Sequence, residues 1–192
     1  TSGLPETGKR GLPGNLVDSH ANLFSAMPLY VSRQHIEQVK HVVGAIEEVT
    51  ALASYRSAVL AWAPEIAAFD PGSPGGLLGL DFHLVADGPR LIEINTNPGG
   101  VLLNSLLSQA QRSCMEEMSL PATTPGRVDK AVLDAMLNEW KLQRGGRAPG
   151  MFAIVDESPE QQYLYPEFVM YQRLFERSGY RAEICAPQDL SW

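Results

Sequence analysis

Gly79-Leu80-Asp81-Phe82-His83-Leu84-Val85-Ala86-Asp87-Gly88-Pro89-Arg90-Leu91-Ile92-Glu93-Ile94-Asn95 decides how this chain reads. Two strand-like runs, residues 80–85 and 91–96, flank a turn signal. Side chains on a strand alternate between faces. In the first run Leu80, Phe82 and Leu84 share one face, and Asp81, His83 and Val85 share the other. In the second, Ile92 and Ile94 lie opposite Leu91, Glu93 and Asn95. A two-residue Asp87-Gly88 turn would pair Ala86 with Pro89, set Asp81 across from Ile94 and mix the two faces. A three-residue loop, Ala86-Asp87-Gly88 with Gly88 left-handed, pairs Val85 with Pro89 instead. Asp81 then faces Glu93, and Asn95 follows two residues along on the same side. Leu80, Phe82, Leu84, Ile92 and Ile94 become one buried face. We expect the three-residue loop.

Two facing carboxylates repel each other unless a cation lies between them. Asp81, Glu93 and the amide oxygen of Asn95 are hard donors of the kind magnesium prefers, with water and phosphate completing its octahedron. Spacing alone leaves a solvated polar hairpin face equally open. Beyond the second strand, Thr96-Asn97-Pro98-Gly99-Gly100 leads into a helix. Free N–H groups at a helix start, approached across glycines, suit a substrate carboxylate or a phosphate. The alternative there is an ordinary glycine-rich strand-to-helix turn.

Asp-Phe on one strand, Glu-Ile-Asn-Thr on the next and a following Pro-Gly-Gly resemble the metal-binding end of ATP-grasp ligases such as D-alanine–D-alanine ligase. The resemblance implies that Asp81, Glu93 and Asn95 coordinate magnesium bridging the phosphates of ATP. It also implies that Asn97, Gly99 and Gly100 orient the substrate carboxylate. Gly79 stands where D-alanine–D-alanine ligases carry an arginine. A further βαβ pattern follows the Glu-x-Asn strand, an order similar to that of eukaryotic glutathione synthetase, which is circularly permuted. Residues 153–168 resemble the opening of that family's substrate domain, and Glu160 and Gln162 fall where it contacts a peptide substrate; a polar helix start is the equal alternative for these two. Pro166 replaces a glutamine of that pattern.

The implied fold is α/β of α+β type. Residues 1–146 would form the C-terminal-type portion of an ATP-grasp antiparallel sheet with N-terminal helices. Residues 147–192 would begin a Rossmann-like, pre-ATP-grasp substrate domain. The implied activity is carboxylate–amine ligation through an acyl phosphate, with ATP and Mg2+ as cofactors and an amino-acid or peptide-like substrate. A homodimer is among the assemblies this resemblance allows. The family's lid lysines find no counterpart in Lys9, Lys40, Lys130 or Lys141. A lid is therefore expected beyond Trp192, in a longer enzyme of which this chain alone turns nothing over. A non-catalytic α/β binding module that retains the hairpin is the alternative function.

The rest of the chain reads coarsely. Residues 1–15 form an extended lead-in, and Leu4-Pro5-Glu6-Thr7-Gly8 matches a sortase pattern in the wrong place to act as one. Ser32 caps an amphipathic helix over residues 33–54 on Ile36, Val39, Val43, Ile46 and Val49. A shorter helix covers residues 55–69, kinked or restarted at Pro64. Residues 70–79 form a glycine-rich loop without the Lys-Ser/Thr ending of a P-loop. Helices follow over residues 101–114 and on Val128, Val132, Met136, Leu137 and Trp140, separated by a loop at 119–126. Arg144-Gly145-Gly146-Arg147-Ala148-Pro149-Gly150 is a linker. Strand 151–155, a helix within 160–177 that starts well at Pro166 and stops at Gly179, and strand 181–185 complete a βαβ unit with a parallel sheet.

The chain has 192 residues, 44% of them hydrophobic and 19% charged, with a formal net charge of -7. That composition is globular, and its acidity opposes a nucleic-acid partner held on a broad basic surface. Cys114 and Cys185 offer no zinc spacing or disulfide framework, which points to a reducing cytoplasm. No apolar run reaches membrane length. His83 shares the metal face but reads as a hydrogen-bonding neighbour. Asp156 and Glu157 end a parallel-type strand, where ligands often bind.

Overall fold

The computed structural model describes residues 20, 22–25, 27, 29–114 and 126–191. The lead-in over residues 1–15, its sortase-like pattern and most of the loop at 119–126 lie outside the described residues. The chain is mixed α/β, with one antiparallel and one parallel two-stranded sheet. Its contacts divide it into two compact units. Leu29–Asn97 is the hairpin unit, and the described residues from Pro98 onward form the body of the α/β unit. This division differs from the expected boundary at 146/147: the helices at 101–114 and 127–144 belong with the parallel sheet.

The hairpin unit opens with α1 (Arg33–Ala51). The Ser32 hydroxyl accepts the His35 N–H at 3.0 Å, satisfying one of the orphan donors of the first turn. α2 (Ala53–Leu60) follows, and the chain restarts as a 3-10 turn at Glu65–Ala68, directly after Pro64. Proline lacks the N–H that a continuous helix needs there. β1 (Gly79–Val85) and β2 (Gly88–Asn95) then form the antiparallel pair, and α1 packs against β2.

The α/β unit begins with α3 (Val101–Cys114) and α4 (Arg127–Arg144). α4 stops at Gly145, which takes φ 63, a conformation that carries little cost only for glycine. β3 (Met151–Val155), α5 (Tyr165–Arg177) and β4 (Arg181–Cys185) complete the βαβ unit in parallel register from Met151↔Arg181 to Val155↔Cys185. Pro166 sits in the first turn of α5, and Gly179 (φ 89) releases the chain into β4. The core lies here: Leu102, Leu103, Val132, Val169, Leu174, Phe175 and Ala182 are buried. Phe152 stacks on Phe175 with ring centroids 4.0 Å apart, and Tyr180 meets Phe152 edge-on. No helix among the described residues is long and apolar enough to cross a membrane.

Candidate functional site

The hairpin sets Asp81 directly across from Glu93, as expected, but by another route. The connection is the two-residue turn Ala86-Asp87, with Val85 paired to Gly88 and Leu84 to Pro89. Three loop residues were expected. Gly88 takes φ 113 where the strand leaves this turn. A two-residue turn alone would have put Asp81 out of step with Glu93. A β-bulge between Asp81 and Phe82 absorbs one residue of β2 and restores the pairing. Phe82 therefore faces Leu91, and His83 faces Arg90.

The bulge also corrects the expected apolar face. Leu91 takes the place opposite Phe82 that Ile92 was to hold. Ile92 is 53% exposed, and Leu84 and Ile94 are exposed as well, so this side of the hairpin is only partly covered. The same shift carries Arg90 to the face of Asp81, His83 and Glu93, where the sequence reading had not placed it. Arg90 there makes only a loose ion pair with Asp87, at 3.9 Å. A bulge leaves no mark in residue spacing, which is why Arg90 escaped notice.

Asp81, Glu93 and Asn95 are all exposed. Asn95 Nδ2 donates to Glu93 Oε1 at 3.0 Å, which leaves Asn95 Oδ1 as a hard donor on the same face. Among the described residues no group of three or more His, Cys, Asp or Glu side chains could hold a metal ion. The hairpin offers two carboxylates and one amide oxygen instead. That donor set suits magnesium, which takes most of its remaining ligands from water and phosphate.

The α/β unit carries the other candidates. Gly99 and Gly100 lead into α3, and Gly100 takes φ 94. Two of the N–H groups there are already engaged. The Glu167 carboxylate accepts the Gly100 N–H at one oxygen and the Leu102 N–H, at 2.8 Å, at the other. Glu167 is only 2% exposed. Gly100 has no side chain with which to cap α3, so a carboxylate from 67 residues away caps it. The expected anion position is thus filled by the protein's own acid. Leu164 also packs on the turn: a Cβ on Gly99 would lie 2.5 Å from Leu164 Cδ1.

Glu160 and Gln162 lie just before that contact, in the loop after β3. Glu157 N–H donates to Asp156 Oδ1 at 2.7 Å, and Gln162 Nε2 donates to the Glu157 carbonyl at 2.6 Å. Ser158 takes φ 45 and ψ 57, the sole positive φ at a non-glycine among the described residues. Held strain of this kind clusters at functional loops. Glu160 lines a cleft of about 320 Å³ together with Pro159, Tyr165, Gln172 and Glu183. The stretches at 99–100 and 160–162, read separately in the sequence, therefore meet through Leu164 and Glu167. Asn97 falls in the hairpin unit. Burial pushes the Tyr171 phenol up to about 12, and the nearby Glu167 adds to the rise. Glu167 was missed because a first-turn acid on a helix reads as a simple dipole partner.

No family model, curated protein or solved structure matches the chain.

Proposed function

We propose that the chain serves an ATP- and magnesium-dependent carboxylate–amine ligase of the ATP-grasp type, ordered like eukaryotic glutathione synthetase, with an amino-acid or peptide-like substrate. One observation carries this reading: Asp81 and Glu93 are paired across the hairpin, with Asn95 bonded to Glu93 on the same face. Like charges set opposite each other are unfavourable on a bare sheet, and a cation would relieve them. Magnesium, when bound, would supply neutralisation of phosphate charge. Asp81, Glu93 and Asn95 would hold it, and Arg90 on that face would add a second positive contact for phosphate. The α/β unit, whose βαβ segment is read as the opening of a Rossmann-like domain, would supply the substrate side through Glu160 and Gln162, with the Gly99-Gly100 turn, held by Glu167, beside them. The cytoplasm, where ATP and reduced thiols coexist, is the setting that suits this reading.

Manganese in place of magnesium tests the metal face through paramagnetic broadening of amide resonances. With ATP present, broadening centred on Asp81, Glu93 and Asn95 is expected, weakened at least about tenfold in affinity by Glu93→Gln. Magnesium-dependent ATP hydrolysis by the longer enzyme that supplies the lid should fall with it. Broadening spread over other acidic side chains, or unchanged in Glu93→Gln, would sink the ligase reading.

A second reading, a non-catalytic binding module, is favoured by the filled turn: Gly100 and Leu102 N–H already hold Glu167. Nucleotide binding and activity of the longer protein left unchanged by Glu93→Gln would select it.

A further inference from the structure

Two stretches of the α/β unit that the proposed function assigns to substrate, Gly99-Gly100 and the loop over residues 156–162, are joined by two contacts. Glu167 accepts the Gly100 and Leu102 N–H groups with its two oxygens. Leu164 fills the space left by the missing Cβ of Gly99. Both residues follow Gln162 within five positions, and the backbone ties them to it. Tyr165 N–H donates to the Gln162 carbonyl at 3.0 Å, and Glu167 N–H donates to the Leu164 carbonyl at 2.8 Å. Upstream, the Gln162 side chain holds the Glu157 carbonyl at 2.6 Å. A continuous run of short contacts thus leads from the α3 start to the strained Ser158.

We propose that Glu167 is a positioning residue: it locks the Gly99-Gly100 turn to the 156–162 loop, so that the two move as one body. Its burial argues for this role over a simple helix cap. A cap is ordinarily supplied by a Ser, Thr, Asp or Asn at the N-cap with extended backbone, a conformation that Gly100, at φ 94, does not take. Here the chain instead has glycine at the cap and buries a carboxylate from another element, which is costly unless both oxygens are bonded. That arrangement fixes α3 relative to α5, which a local cap cannot do. Leu164 adds shape to the same joint, because only a residue without a Cβ lets it reach this close. The substrate assignment of these stretches rests on the proposed function, but the coupling between them does not.

Residue-resolved amide hydrogen exchange on the full chain tests the coupling without any ligand. Glu167→Gln keeps one acceptor and turns an amide NH2 toward a backbone donor. Exchange at Gly100 and Leu102 should rise about tenfold or more. The distinguishing expectation is that amides of residues 157–162 speed up in parallel, while those of β4 do not. A residue that merely stabilised the fold would raise exchange throughout the unit. Release of Gly100 and Leu102 with residues 157–162 unmoved would overturn the proposal.

Should Glu167→Gln fail to fold, the Leu164 contact gives an independent measurement. Gly99→Ala should speed exchange in residues 157–162, and Leu164→Ala in the same chain should restore it by making room for the new methyl. Absence of that compensation would equally overturn the coupling. Failure of manganese to broaden the hairpin face would defeat the ligase reading and leave these exchange results standing.

Discussion

The two units are built on different terms. Each buried apolar side chain among the described residues, from Leu102 to Ala186, belongs to the α/β unit. Leu29–Asn97 has none, although it carries Trp62, Phe69, Leu91, Ile92 and Ile94, all exposed. Burial of apolar surface is the main stabilising term in folding. The α/β unit has it, while the hairpin unit depends on its helix and ladder hydrogen bonds and on one helix laid against β2. This difference leaves large apolar side chains of the hairpin unit exposed. It also places the proposed metal face on the more weakly held half of the described chain, and the substrate-side joint on the firmly held half.

The largest expected difference is in the response to truncation. Phe175→Ala removes a ring stacked on Phe152 and should cost the α/β unit about 3–5 kcal/mol. Ile92→Ala, at the bulge, should change stability by no more than about 0.5 kcal/mol. Hydrogen exchange of β3 and β4 amides for the first, and of β1 and β2 amides for the second, measures each unit by itself. A loss at Ile92 approaching that at Phe175 would mean that the hairpin face is covered in solution, and would break the comparison.

The titrating groups divide the same way. Tyr171 in the α/β unit is shifted by burial, so its phenol should stay protonated until about pH 12. The sign follows from linkage. The unfolded chain loses this proton near pH 10, and the folded chain holds it longer. Stability from Tyr171 is therefore complete below pH 10 and drains away as pH rises toward 12. In the hairpin unit Glu37 is held below the usual carboxylate range by its hydrogen bond and charge contact with Lys40, at 2.8 Å on the surface. Added salt should weaken that shift by screening its charge component, and should act less on the Tyr171 shift, whose first cause is burial. NMR titration at low and high salt reads both; a Tyr171 phenol that ionises near pH 10 would refute the burial argument.

Much of the α/β unit was legible because its signals are local. Pro166 and Gly179 punctuate α5, and β3 and β4 occupy the expected residues 151–155 and 181–185. In the hairpin, alternation fixed what had to face what, and Asp81 does face Glu93. Alternation constrains only parity, however. A shorter turn plus a bulge satisfies it as well as a longer turn, and nothing in the spacing of Leu91, Ile92 and Glu93 tells the two apart. Burial of the hairpin's apolar face was not legible at all, since it depends on what packs there rather than on the strand itself. Glu167 belongs to a third kind: its role is defined by Gly100 and Leu102, more than sixty residues away, and local pattern cannot reveal a tertiary cap.

A small effect of opposite sign is expected where Gly88 meets Gln38 in the hairpin unit. Gly88 is buried, and a Cβ there would lie 3.0 Å from Gln38 Oε1 on α1. Its φ of 113 already favours glycine, and the close approach of Gln38 adds a second reason. Gln38 Oε1 is itself buried and accepts no hydrogen bond among the described residues. A buried acceptor without a donor is destabilising, whereas an apolar side chain of the same shape is not. Gln38→Met keeps the length and flexibility of the side chain and removes the unsatisfied oxygen, so it should stabilise the packing of α1 on β2 by about 1 kcal/mol. Slower exchange of β2 amides in the variant is the expected reading. Faster exchange would mean that the amide has a bonding partner in solution, and that this contact, like the α3 cap, is held by polar pairing.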